Sequence, residues 1–167
     1  MVRHSDKLEG EKSRPPAHAP GSSRDARPNL GILLREPYQE IVSRVASGLA
    51  TAGFDDLRPA HTAVFQHIAA EGSRLTDLAA SAQITKQSMG YLVDYLEERG
   101  YVERRRAQHD RRTALICLTD RGWAQIRAAL AVIAETEREW ARLLGQARME
   151  QLRDLLADLH THIHQAK

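Results

Sequence analysis

Aromatic residues make up only 5% of this 167-residue sequence, and cysteine occurs once. The single cysteine, Cys117, cannot close an intrachain disulfide, and its isolation excludes cysteine-cluster zinc sites and CxxC redox motifs. No stretch approaches the roughly 18 uninterrupted apolar residues of a membrane-spanning helix, so no membrane partner is expected. The opening Met1-Val2-Arg3-His4-Ser5-Asp6-Lys7 lacks the apolar segment of a secretory signal, and a cytoplasmic protein is the expectation. Also missing are Gly-x-Ser-x-Gly, a phosphate-cradling glycine loop and His-Glu-x-x-His, so the reading is not an enzyme, with no cofactor and no catalytic residue assigned.

What is present suits a single domain with its own core: 42% of the residues are hydrophobic and 28% charged. The net charge of +2 conceals an uneven distribution. Five arginines and one aspartate fall between Arg104 and Arg112, a local charge of +4 of the kind polyanion recognition requires. Residues 1–28 hold four of the six prolines among polar residues and read as a disordered tail, in which Arg24 and Arg27 are the cations able to touch DNA.

From Leu30 the pattern is helical. Tyr38, Ile41, Val42, Val45, Leu49 and Ala52 follow a three-four spacing up to Gly53, with Pro37 as a kink or a restart. A second helix is expected from Pro59 to about Glu71, a short third from an N-cap at Thr76 to Ala82, and a fourth capped by Thr85 and ending before Gly100. The period then changes: 101–105 and 113–118 read as two β-strands joined by the basic connection 107–112. Thr119 and Asp120 open a long helix to Leu144, and a last helix runs from about Ala147 to the end.

Those last two helices carry apolar seams. Trp123, Ile126, Leu130, Ile133, Trp140 and Leu144 keep mostly heptad spacing, and Met149, Leu152, Leu156, Leu159 and Ile163 alternate by three and four. Seams of this kind pack against long partner helices, which points to a homodimer.

Two short helices followed by a basic β-hairpin is the order of a winged helix-turn-helix, whose second short helix enters the major groove. At 100° per residue, Met89, Leu92, Val93 and Leu96 share one face and Gln87, Tyr91, Asp94 and Glu98 the opposite one. Because Asp94 and Glu98 would repel phosphate, the N-terminal end bearing Thr85, Lys86, Gln87 and Ser88 is the part expected in the groove, where helix amides favour phosphate. Gln87 carries the donor–acceptor pair that matches adenine, and Tyr91 can reach a thymine methyl or a phosphate. In the hairpin, Asp110-Arg111-Arg112 places an arginine where it can enter a narrow minor groove, with a carboxylate able to orient it.

This ordered set resembles the multiple antibiotic resistance regulator (MarR) family of transcription factors. The residues that carry the resemblance are 57–65 (Leu57-Arg58-Pro59 onward), Leu75-Thr76-Asp77-Leu78-Ala79, Ile84 to Met89, Leu92 to Val102, Asp110-Arg111-Arg112 and Leu118-Thr119-Asp120-Arg121-Gly122. The resemblance implies a mainly α fold with a small β-hairpin wing, an intertwined homodimer, and a palindromic site on double-stranded DNA. It also implies a repressor that responds to a small aromatic or amphipathic effector. Carried over by position, Thr85, Lys86, Gln87, Ser88 and Tyr91 read the groove, Arg112 is the minor-groove arginine beside Arg111, and Asp110 holds it. The organisation expected is a tail at 1–28, a dimerisation helix at 29–56, the DNA-binding lobe at 57–118 and C-terminal dimerisation helices at 119–167.

Two other readings stay open. A dimeric interaction protein could sequester another regulator through its helical seam without touching DNA. A metal-responsive regulator could use His160 and His164, which share a helix face while His162 points away, although two imidazoles alone make a weak site. His61 and His67 are expected to pack or to line a pocket. Cys117, mid-strand, is expected to be a buried inert thiol rather than a sensor.

Overall fold

The computed structural model describes residues 27–106 and 114–165. The proline-rich tail, apart from its last two residues, and the wing connection at 107–113 lie outside the described residues. The described residues divide into two units on either side of the bond between Glu36 and Pro37. In the first, the Asn29 side chain accepts the Ile32 N–H at 3.0 Å, and Leu30, Leu33 and Leu34 are exposed.

The elements are α1 (Leu30–Thr51), a 3-10 turn (Pro59–His61) leading into α2 (Thr62–His67), β1 (Ser73–Arg74), α3 (Leu75–Ser81), α4 (Lys86–Glu98), β2 (Val102–Arg106), β3 (Ala114–Leu118), α5 (Asp120–Leu144) and α6 (Gln146–Gln165). Pro37 lies inside α1 rather than at a restart. The three strands form an antiparallel sheet in the order β1-β3-β2.

Two local expectations are corrected. The second helix stops at His67, four residues early, because Ile68 turns extended and the chain must reach β3. There Ser73 pairs with Ile116 and Arg74 with Leu115, forming a third strand too short to show a period of two. The third helix starts directly from that strand at Leu75, so its N-cap is Arg74, and the Thr76 hydroxyl donates to its neighbour Asp77 at 3.2 Å instead of capping.

The core lies between α2, α3, α4 and the sheet. Val64, Leu78, Met89, Val93, Leu96, Tyr101, Val102 and Ile116 are almost completely shielded from solvent. Trp123 and Ile126 of α5 pack against this cluster. They are therefore lobe residues, and the expected dimer seam on α5 begins after them.

Two end motifs set the path through the lobe. After α4, Gly100 at φ 70° lets the Tyr101 N–H return to the Leu96 carbonyl (2.9 Å) and its own N–H to Glu97 (2.9 Å). Thr119 then caps α5, accepting the Gly122 N–H at 3.1 Å while its hydroxyl donates to the Gly100 carbonyl at 2.5 Å. One threonine thus ties the end of α4 to the start of α5.

Farther along, α5 meets α1 closely. A Cβ on Gly48 would lie 2.5 Å from Val132 Cγ2, and Arg44 bridges Glu40 and Glu139 at 2.7 and 2.5 Å. α6 behaves differently: Met149 is buried, but Leu152, Leu155, Leu156, Leu159 and Ile163 are 40–60% exposed. No helix among the described residues is long and apolar enough to cross a membrane.

Candidate nucleic-acid interface

The turn between α3 and α4 holds the two helices in sequence. Gln83 adopts φ 55°, and the Ile84 N–H reaches the Ala79 carbonyl at 3.0 Å, so α3 ends in the same motif as α4 without a glycine. α4 then begins at an extended Thr85, whose Oγ1 accepts the Ser88 N–H at 3.0 Å and donates to Ser88 Oγ at 2.8 Å. Thr85 and Ser88 are thereby engaged with each other. Their contribution to the expected reading surface is to terminate the helix and to leave its first amides open.

The first turn of α4 contains no acidic residue, and Thr85, Lys86, Gln87 and Ser88 are all exposed. With Met89, Val93 and Leu96 buried on the opposite face, the helix is seated so that this end must face solvent. Gln87 Nε2 donates to the Tyr91 hydroxyl at 3.1 Å, joining two residues one turn apart. An amide nitrogen has two protons, so the second N–H and Oε1 of Gln87 remain a donor–acceptor pair. Tyr91 is 66% exposed.

The acids on this face do not stand as the sequence implied. Asp94 does not simply oppose an approaching phosphate: its Oδ1 accepts from Arg104 Nη2 at 2.6 Å. Glu97 also pairs with the Arg104 guanidinium, and its Oε1 accepts the Arg104 N–H at 3.1 Å. Arg105 pairs with Glu103 within β2. Two arginines of the basic run are thus matched by acids at the root of the hairpin. Asp110, Arg111 and Arg112 lie outside the described residues.

Behind α4 sits a cluster that sequence reasoning did not find. The Asp56 carboxylate accepts the Tyr101 hydroxyl at 2.6 Å, and its backbone carbonyl accepts the Tyr95 hydroxyl at 2.5 Å. Arg121 reaches both Asp56 (3.4 Å) and the Tyr101 hydroxyl (3.0 Å). Tyr95 is sandwiched between the Arg99 guanidinium, 3.5 Å from its centroid, and the stacked His61 ring at 4.3 Å. The cluster connects the loop after α1 to the ends of α4 and α5. Its only sequence signal was the concentration of three of the four tyrosines between residues 91 and 101.

His61 is buried, as expected, and its Nδ1 accepts the Arg58 N–H at 2.9 Å. Burial lowers its pKa from the ordinary 6.5, and the cations of Arg58 and Arg99 lower it further against the opposing pull of Asp56. The native state therefore holds His61 neutral. Stability contributed by this group is present above pH 6.5 and is lost as pH falls from there through the depressed native value. Urea midpoints measured from pH 7.5 to 5 are expected to fall more steeply for wild type than for His61→Gln; parallel profiles would contradict this assignment. His67, by contrast, is exposed, so its expected packing role is not realised.

The remaining sequence signals resolve separately. Cys117 is 7% exposed, its thiol lies 3.9 Å from the Glu71 carbonyl, and it lines a groove of about 490 Å³ with Glu103, Arg105, Asp120 and Trp123. On α6, His162 Nδ1 lies 2.8 Å from the Asp158 carbonyl. No group of three His, Cys, Asp or Glu side chains gathers into a metal-binding arrangement among the described residues.

A three-helix lobe whose last helix offers a polar, acid-free N-terminus, flanked by a two-stranded wing, defines a winged helix-turn-helix. Residues 55–113 match the MarR family, a stretch that runs from the loop after α1 through the recognition helix and the first wing strand. No curated protein sequence matches it. Solved structures do. The repressor CouR bound to a 23-mer DNA duplex is 28% identical, with a TM-score of 0.61 over 79% of this chain and 92% of its own. CouR from Rhodococcus jostii RHA1 bound to p-coumaroyl-CoA, also 28% identical, gives 0.59 over 78% and 91%. MarR itself, at 23% identity, gives 0.66 over 81% and 98% and shares the fold.

Proposed function

We propose that the protein is a homodimeric transcriptional repressor that binds a palindromic operator and releases it when a small aromatic or amphipathic effector binds. The observation that carries the reading is the start of α4: an exposed, acid-free helix N-terminus presenting Lys86, Gln87 and Tyr91, held outward by a fully buried opposite face. Helix 29–56 and residues 119–167 supply the dimer contacts in this reading, and 57–118 supply the DNA-binding lobe. Lys86 and the open amides hold phosphate, Gln87 reads a base, Tyr91 packs against the groove wall, and Thr85 and Ser88 keep the helix end in shape. Arg111 and Arg112, with Asp110 orienting Arg112, reach the minor groove. The effector class is the one the family resemblance implies, and the likeness to CouR bound to p-coumaroyl-CoA supports it.

Selection of DNA from a random pool, followed by competition binding at fixed salt, tests this directly. Gln87→Ala is expected to cost about 1–3 kcal/mol at one base pair and to relax choice there. Arg112→Ala should weaken binding most on A·T-rich flanks, with Asp110→Ala a milder version and Arg24→Ala near wild type. Four equal losses with identical base profiles would reduce these residues to a diffuse positive field. Wild-type protein without salt-dependent DNA affinity would leave the sequestering protein as the better reading.

A further inference from the structure

Arg104 has the position and charge of a phosphate contact, but its geometry is that of a clamp. It leaves β2 opposite Ile116 of β3. Its N–H, on the edge of the sheet away from β3, goes to Glu97 Oε1 at 3.1 Å rather than to a strand. Its guanidinium then takes two of the three carboxylates of α4, Asp94 at 2.6 Å and Glu97. Residues three apart on a helix are neighbours, so the two acids converge on one planar fork, which a lysine ammonium could not serve in the same way. About a third of the Arg104 side chain is exposed, and its guanidinium is paired with two carboxylates.

We propose that Arg104 is a positioning residue for DNA recognition: bound by Asp94 and Glu97, it sets the wing at a fixed place relative to the recognition helix. Two acids on a DNA-reading helix are then explained by the strand they hold. The hairpin root offers no net positive charge, and attraction to phosphate is left to residues farther along the wing. An unanchored wing would have to be ordered on each binding event, and its anchoring removes that cost in advance. The proposal rests on the DNA-binding reading above.

The test uses the full chain, the operator selected from the random pool, and the variants Arg104→Gln, Arg104→Lys and Asp94→Asn combined with Glu97→Gln. Without DNA, amide hydrogen exchange across 102–106 and 114–118 is expected to quicken in Arg104→Gln and in the double variant while α2 and α3 stay protected. With DNA, both are expected to bind about tenfold more weakly, with the slope of log affinity against log salt unchanged and Arg104→Lys intermediate. A salt slope reduced by about one unit in Arg104→Gln would make Arg104 a phosphate contact and overturn the proposal. Tighter binding by the double variant would overturn it too, because the acids would then only repel DNA. If wild type binds no DNA, the functional reading fails separately. Strand exchange then decides the clamp, with acceleration upholding it and no change overturning it.

Discussion

Replacing Gly122 by alanine is expected to destabilise the lobe by about 3 kcal/mol, at the upper end of what overpacking a tight site costs. A Cβ there would sit 2.2 Å from the Tyr101 carbonyl oxygen and 2.9 Å from Leu118 Cδ2. The leucine could change rotamer, but the carbonyl belongs to the backbone entering β2, and it cannot move without breaking the hydrogen bond it accepts from the Thr119 N–H at 3.1 Å, next to the cap of α5. The added methyl must therefore push α5 off the lobe, taking Trp123 and Ile126 with it. Gly90→Ala provides the contrast. Nothing lies within 4 Å of its added Cβ, and its position is mid-helix, so a gain of about 0.5–1 kcal/mol is expected. Urea unfolding of both variants measures the difference; equal midpoints would show that the α5 crossing yields more readily than its backbone contact implies.

Breaking the seam on α6 is expected to have the larger functional effect. Leu152, Leu156, Leu159 and Ile163 are 40–52% exposed, and Leu143 just before the helix is 83% exposed. Fully burying one leucine stabilises by roughly 1.5–3 kcal/mol, so covering the remainder of four such side chains is worth several kcal/mol to a partner helix. Leu152→Glu with Leu156→Glu removes that gain and places carboxylates in the seam. The expected product is a folded monomer in light scattering. DNA affinity should drop by about 10²–10⁴, because two half-sites would no longer be held by one particle. A wild-type monomer at micromolar concentration would refute the homodimer, and a double variant that remains dimeric would refute the place of the α6 seam in it.

Much of the lobe was legible because its determinants are close in sequence. The Thr85 cap acts over three residues and the Thr119 cap likewise, and each appears where the side-chain pattern placed it. The face of α4 followed from phase alone, and Met89, Val93 and Leu96 are buried accordingly. β1 was not legible, since two residues carry no period and Ser73 becomes a strand only by meeting Ile116. The α5 seam misled in its first turn and a half: heptad spacing marks an apolar stripe, but it does not say whether the stripe faces a lobe or a partner chain.

The sequence by itself determined the order of the helices and of the two wing strands, the caps at Thr85 and Thr119 and the outward face of the recognition helix, because propensity, capping and amphipathic phase act within a few residues. Only the tertiary structure decided which charges of the basic run are already matched. Arg104 finds Asp94 ten residues back, and Arg121 finds Asp56 across sixty-five. A count of charges along the chain cannot distinguish an arginine held by two carboxylates from one available to a phosphate. That distinction depends on the distance between packed elements, and it exists only once α4 and the wing lie side by side.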